Sequence, residues 1–103
     1  MIWDMKIVKE ANNQELIIIP SGEINSVTAP ELEEIIKNDL GNVKKLVFDF
    51  AELDYLSSAG LRVLLVAQKI MTGKGQMVIR HVNHNVMEVF EITGFNNVLD
   101  IEG

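Results

Sequence analysis

The chain has 103 residues, of which 48% are hydrophobic and 23% are charged, a composition typical of one globular domain. It contains no cysteine, which excludes a thiol nucleophile, a disulfide and a thiolate metal site. The net charge of −6 disfavours direct binding to nucleic acid, and no apolar run approaches the ~20 residues that span a bilayer. We expect one domain over residues 1–103, in the cytoplasm and away from membranes, since the first residues lack a signal-peptide pattern.

The first two predicted elements form a β-hairpin. Residues 5–10 (MKIVKE) and 15–20 (ELIIIP) have apolar, β-branched centres, and the turn-forming residues 11–14 (ANNQ) separate them. The Ser-Gly pair at 21–22 is expected to end the second strand. Trp3, which precedes the hairpin, is interpreted as packing over a sheet edge or, alternatively, as marking an association surface.

A helix is predicted to follow. The sequence TAPE at residues 28–31 has the spacing of a capping box, in which the Thr28 hydroxyl and the Glu31 carboxylate satisfy each other's backbone amides. Apolar side chains then recur at helical spacing at positions 32, 35, 36 and 40, and Gly41 provides a stop. This pattern indicates an amphipathic helix with one buried face.

The middle of the chain predicts a buried strand followed by a second helix. Residues 43–50 (VKKLVFDF) contain the contiguous apolar run expected of the central strand, buried on both faces. Residues 51–58 (AELDYLSS) are interpreted as a polar turn. Residues 59–71 carry a broad apolar face, and Gly73 and Gly75 end this helix.

The last third predicts one more helix between two strands. Residues 76–81 form a strand, Asn83 or Asn85 caps a third helix, and Gly94 ends it with Phe95 behind it. Residues 98–101 are predicted as a final strand. The element order therefore predicts an α/β fold with a mixed, mostly parallel sheet of about five strands, an initial antiparallel hairpin strand and three or more helices.

The segment with functional content runs from the predicted central strand to the start of the second helix, with its centre at residues 54–60. Ser57 and Ser58 lie at that helix start, where unpaired backbone N–H groups and the helix dipole favour negative charge. A phosphate there adds roughly −1.5 to −2 charges beside Asp54 and Glu52 and would repel a docked partner. The alternative is structural: a serine caps the helix, and Gly60 permits close packing.

Three motifs resemble those of one known family. The stretch LDYLSSAGLRVLL at residues 53–65 resembles the signature of the STAS domain, found in sulphate transporters and anti-sigma factor antagonists. SGEI at residues 21–24 and ITGF at 92–95 resemble two further turns of that family. The resemblance implies an anti-sigma factor antagonist, which binds an anti-sigma factor serine kinase of the histidine-kinase-like ATPase type and frees a sigma factor. A constitutive scaffold or a transport-associated binding module is the alternative.

Carried over by position, the residue phosphorylated in the family falls on Ser58. Ser57 stands where the family has an aspartate, Ala59 where serine or threonine is frequent, and Asn25 where aspartate is frequent. The predicted partner-binding residues are Glu23, Asn25, Asp54, Ser57, Ser58, Ala59, Gly60 and Arg62. For Asn25 the alternative is turn chemistry, and for Arg62 it is a solvated charge.

No enzymatic activity, metal or cofactor is expected. The sequence has no Gly-x-Ser-x-Gly motif and no glycine-rich phosphate loop after a strand. His81 and His84 are either half of a metal site or two solvated polar residues. The methionines at positions 71, 77 and 87 are interpreted as filling gaps in the core, and a weak homodimer is left open.

Overall fold

The computed structural model describes residues 6–102. The described chain contains five strands, three α-helices and one 3₁₀ turn. In chain order they are β1 (Lys6–Asn12), β2 (Glu15–Ile24), α1 (Ala29–Asp39), β3 (Lys45–Asp49), β4 (Leu53–Leu56), α2 (Ser58–Met71), β5 (Gln76–Arg80), α3 (His84–Thr93) and the 3₁₀ helix Phe95–Asn97. Trp3 and Met5, on which two sequence predictions fall, lie outside the described residues.

The strands form one mixed sheet in the order β1-β2-β3-β5. β1 is antiparallel to β2, whereas the β2–β3, β3–β5 and β2–β4 pairs are parallel. β3 pairs with residues 15–18 of β2, and β4 pairs with residues 22–24. The structure thus confirms the predicted α/β fold with its antiparallel hairpin, and it places the strand predicted as central inside the sheet.

The core lies between the sheet and the helices. Leu46 and Phe48 of β3 and Ile18 of β2 are fully buried in one apolar cluster with residues of all three helices. Val47 is also buried but lies outside that cluster, so β3 is buried on both faces, as its apolar run predicts. Met71 and Met77 are buried, consistent with the gap-filling interpretation.

The prediction of a polar turn at residues 51–58 is wrong, because strand β4 lies within this segment. The reason lies in β2, which does not end at residues 21–22 but continues to Ile24 and so offers β4 a partner. Gly22 adopts a left-handed φ of 91° without breaking the pairing. Leu53 and Leu56 are buried while the two residues between them are exposed, and this pattern lacks the strict alternation that signals a strand.

The final strand predicted at residues 98–101 is also wrong. The amides of Val98 and Leu99 donate to the carbonyl oxygen of Phe95, so the chain is still turning where the strand was expected to begin. A single parallel bridge, between Ile79 and Ile101, remains at the edge of β5.

The helix ends match the predictions in two places and differ in one. Asn83 caps α3 by accepting from the amide of Val86 over 2.8 Å, and Gly94 ends that helix with a left-handed φ of 79°. The capping box at α1 does not form. Thr28 has helical rather than extended torsions, and its hydroxyl makes no capping bond because it faces the preceding loop.

Candidate functional site

Two chain segments meet where β2 and β4 end. Ile24 and Leu56 are the last register partners of these parallel strands, and the amide of Ser57 donates to the Ile24 carbonyl oxygen over 2.9 Å. We call the β2–α1 loop (residues 25–28) and the junction between β4 and α2, with the first turn of that helix (residues 57–60), the paired loops. They lie at the carboxyl end of the parallel strands, where open α/β sheets tend to meet their ligands.

The β2–α1 loop is held by its own hydrogen bonds. The Thr28 hydroxyl donates to the Glu23 carbonyl oxygen over 2.8 Å and accepts from the Asn25 amide over 2.9 Å. The Asn25 side-chain oxygen accepts from the amides of Val27 and Thr28 over 2.9 and 3.1 Å. Asn25 therefore acts as a turn residue, which is the alternative interpretation of its position. Thr28 is buried, and its hydroxyl anchors the inner side of the loop.

The two adjacent serines have opposite environments. Ser57 precedes α2 with the extended torsions of an N-cap residue, but its side chain makes no capping bond. Its Oγ is buried and has no hydrogen-bond partner within residues 6–102. Ser58 is exposed at the first position of the helix. Of these two hydroxyls, only that of Ser58 is therefore accessible to another protein.

Gly60 lets α2 approach the ends of both strands. A Cβ at this position would lie 2.3 Å from the Leu56 Cδ1 and 2.7 Å from the Ile24 Cγ2, far inside van der Waals contact. Both neighbours are fully buried core residues with little room to shift. Within the paired loops, Gly60 thus packs against the core and does not form part of the solvent-exposed surface.

The other predicted residues divide by exposure. Asp54 is exposed and is the extra residue at a register shift, since Gly22 pairs with Leu53 and Glu23 pairs with Tyr55. Such irregularities turn a side chain away from the regular pleat. Arg62 is exposed, and Ala59 is half-buried against the core. Of the predicted partner-binding residues, the solvent-exposed ones are Glu23, Asp54, Ser58 and Arg62.

A second polar cluster lies at the neighbouring strand ends and was missed by sequence reasoning. Asp49, at the end of β3, accepts from Arg80 Nε over 3.3 Å and from the Ala51 amide over 3.1 Å. His81 Nδ1 lies 2.8 Å from Asp49 Oδ1, and it must donate because an ionised carboxylate only accepts. The signal was available: Asp49 ends β3, and His81 directly follows the neighbouring parallel strand β5.

The environment of Asp49 favours its ionised form. Burial by itself raises the pKa of this carboxyl group, but the hydrogen bonds from His81, the Ala51 amide and Arg80 and the charge of His81 outweigh burial and lower the pKa below its ordinary value. His81 is hydrogen-bonded to Asp49. No group of three or more potential metal ligands occurs in the described part of the chain.

No helix between residues 6 and 102 is long and apolar enough to cross a membrane.

Comparison with known proteins identifies the family. The family model of the STAS domain matches residues 6–102. The chain belongs to the STAS domain family. A protein of Bordetella bronchiseptica named "Putative anti-sigma factor antagonist BtrV" is 37% identical to this STAS domain over 99 residues, which cover 94% of the chain and 85% of the relative. An anti-sigma-B factor antagonist of Listeria monocytogenes is 29% identical over 99 residues, covering 92% of the chain and 85% of the relative.

Solved structures show the same fold. An anti-sigma factor antagonist from Mycobacterium paratuberculosis superimposes on this STAS domain with a TM-score of 0.89 at 21% identity, covering 99% of the chain and 88% of that protein. The anti-sigma factor antagonist SpoIIAA in its unphosphorylated form gives a TM-score of 0.81 at 17% identity, with coverages of 93% and 87%. At these identities the likeness concerns the fold.

Proposed function

We propose that this STAS domain is an anti-sigma factor antagonist, which binds an anti-sigma factor through the paired loops and thereby frees a sigma factor. The relatives that carry this name are similar over almost the whole chain. The observation that carries the proposal is the contrast between the exposed Ser58 and the buried Ser57 Oγ, at the start of a helix tied to β2.

The proposal includes regulation by phosphorylation of Ser58, with an anti-sigma factor of the histidine-kinase-like ATPase type as the kinase. A phosphate at the first turn of the 14-residue helix α2 meets unpaired backbone amides and the positive end of the helix dipole, so the fold tolerates it. When a partner covers Ser58, the roughly −1.5 to −2 charges of the phosphate must lose their water beside the exposed carboxylates of Glu52 and Asp54, so phosphorylation weakens docking. The modification switches binding without rearranging the domain.

The proposed role is binding rather than catalysis. A nucleophilic serine needs a base within hydrogen-bond reach, and in the described chain neither Ser57 nor Ser58 has a side-chain hydrogen bond to a histidine or a carboxylate. His81, which directly follows β5, is hydrogen-bonded to Asp49. This arrangement supports a surface for a protein partner.

A constitutive binding module is the second candidate. One observation favours it: Ser57 stands where the family has an aspartate next to the phosphorylated residue. In that case the paired loops bind their partner without any covalent switch.

A phosphorylation assay separates the two candidates. The chain is incubated with ATP and each purified histidine-kinase-like ATPase of the source organism, and the modified residue is located by fragmentation mass spectrometry. We expect phosphate on Ser58 in the wild type and in Ser57→Ala, and none in Ser58→Ala. Ser57→Ala is a matched control, because it removes a neighbouring hydroxyl that has no hydrogen bond within residues 6–102. Phosphate on Ser57, or none with any of the ATPases, contradicts the switch.

A further inference from the structure

Val27 is an apolar side chain that the fold does not use. It lies immediately before Thr28, the N-cap of α1, where an apolar residue often packs against the fourth residue of the helix. That residue is Leu32, which is fully buried, whereas 77% of Val27 remains exposed. Packing of Val27 onto the helix therefore contributes little to the stability of this chain.

The loop nevertheless holds Val27 in one position. Its amide donates to the Asn25 side-chain oxygen over 2.9 Å, and the next residue, Thr28, is anchored to the Glu23 carbonyl oxygen. The Ala29 amide also donates to the Asn25 carbonyl oxygen over 2.8 Å. A loop whose backbone is already fixed when free loses little conformational entropy when a partner covers it.

Val27 and Ser58 both follow the ends of paired parallel strands. Val27 is three residues beyond Ile24, and Ser58 is two residues beyond Leu56, the register partner of Ile24. The comparably exposed Ile92, at 79%, lies at the far end of another helix, α3. The exposed charged side chains within four residues of Val27 or Ser58 along the chain are three acidic ones, Glu23, Glu31 and Asp54, and one arginine, Arg62.

From these features we infer that Val27 is an apolar anchor for the anti-sigma factor, which presents an apolar socket bordered by basic side chains. The inference rests on the proposed function and names a contact within it. Burial of the valine side chain supplies affinity, while the acidic surroundings orient a basic partner surface. A phosphate on Ser58 blocks close docking of the partner over Val27 through its bulk and its desolvation cost, so Val27 acts in the unmodified state.

The test compares Val27→Ser with Ile92→Ser, since both remove an exposed aliphatic side chain and only the first lies at the paired loops. Binding to each purified histidine-kinase-like ATPase of the source organism is measured by calorimetry, with Ser58→Asp as a reference for the switch. We expect Val27→Ser to weaken binding roughly tenfold, Ile92→Ser to leave it unchanged, and Val27→Ile to keep the wild-type affinity. Because both serine variants change exposed positions, both are expected to melt at the wild-type temperature.

The outcomes distinguish this inference from the function on which it rests. If the wild type binds none of the ATPases, the proposed function is contradicted and the anchor with it. If the wild type binds, Ser58→Asp binds weakly and Val27→Ser binds like the wild type, only the anchor is contradicted. Equal losses in Val27→Ser and Ile92→Ser also overturn it, because they indicate a general effect of removing surface apolar groups.

Discussion

The amide of Ser57 donates to the carbonyl oxygen of Ile24 over 2.9 Å, which ties the first turn of α2 to the end of β2. The next residue, Ser58, is exposed to solvent, and its position is held by the paired strands β2 and β4. A site built on paired strands keeps its geometry when a partner binds. The stability of this junction is therefore the first property to test.

Gly60→Ala is expected to destabilise the domain by about 1–3 kcal/mol. The added methyl group would lie 2.3 Å from the Leu56 Cδ1 and 2.7 Å from the Ile24 Cγ2, so two core side chains must leave their rotamers. Chemical denaturation of the purified variant measures the loss. The matched control is Gly41→Ala, since a Cβ there has no heavy atom within 4 Å. Equal stability of the two variants would refute close packing at Gly60.

Asn83→Ala is expected to cost about 1–2 kcal/mol of stability. Its side-chain oxygen caps α3 through the Val86 amide, and its side-chain nitrogen donates to the Leu53 carbonyl oxygen over 2.7 Å, joining α3 to β4. Thermal melting of Asn83→Ala and Asn85→Ala checks this, because Asn85 is exposed and has no side-chain hydrogen bond within residues 6–102. A larger loss of stability in Asn85→Ala than in Asn83→Ala would contradict the assignment of the cap to Asn83.

The Asp49 carboxylate predicts a loss of stability in acid. Although burial opposes ionisation, the bonds from His81, the Ala51 amide and Arg80 hold the pKa of Asp49 below its ordinary value. A carboxyl group whose pKa is lower in the folded state stabilises the fold above its unfolded-state pKa. This contribution disappears as the pH falls from about 4 through the folded-state pKa. Urea denaturation across this range measures it.

Asp49→Asn removes that contribution, so its stability is expected to vary less with pH over the same acid range. At neutral pH the variant is expected to lose about 1.5–3 kcal/mol, the usual worth of hydrogen bonds to a charged group. Asp54→Asn serves as the control, since Asp54 is exposed and makes no ion pair among the described residues. An acid profile of Asp49→Asn that follows the wild type would exclude Asp49 as the source.

The sequence predicted the fold where a periodic or capping signal was strong. The contiguous apolar run of β3 and the terminating Gly94 appear where expected, and the cap of α3 is the first of the two predicted asparagines, Asn83. β4 escaped because it has only four residues and lies at a register shift, where Leu53 and Leu56 are both buried despite their odd spacing. Strand β4 exists because β2 extends far enough to pair with it, and that depends on tertiary structure.

The sequence predicts the position of the candidate site along the chain, and the structure separates the side chains of that site by their exposure. The sequence places Ser57 and Ser58 at a helix start, and exposure alone separates them. The capping box at residues 28–31 was a reasonable expectation, yet Asn25 and Glu23 compete successfully for the Thr28 hydroxyl. Local hydrogen bonding of this kind depends on where β2 ends, which no short motif records.

The central claim is that the charge state of Ser58 controls binding of an anti-sigma factor. The most direct measurement is the affinity of unmodified, Ser58-phosphorylated and Ser58→Ala chains for the purified histidine-kinase-like ATPase that phosphorylates the chain. We predict that Ser58→Ala binds as tightly as the unmodified chain and that the phosphorylated chain binds at least about tenfold more weakly, or ~1.4 kcal/mol. Equal affinities of the phosphorylated and unmodified chains would contradict the claim.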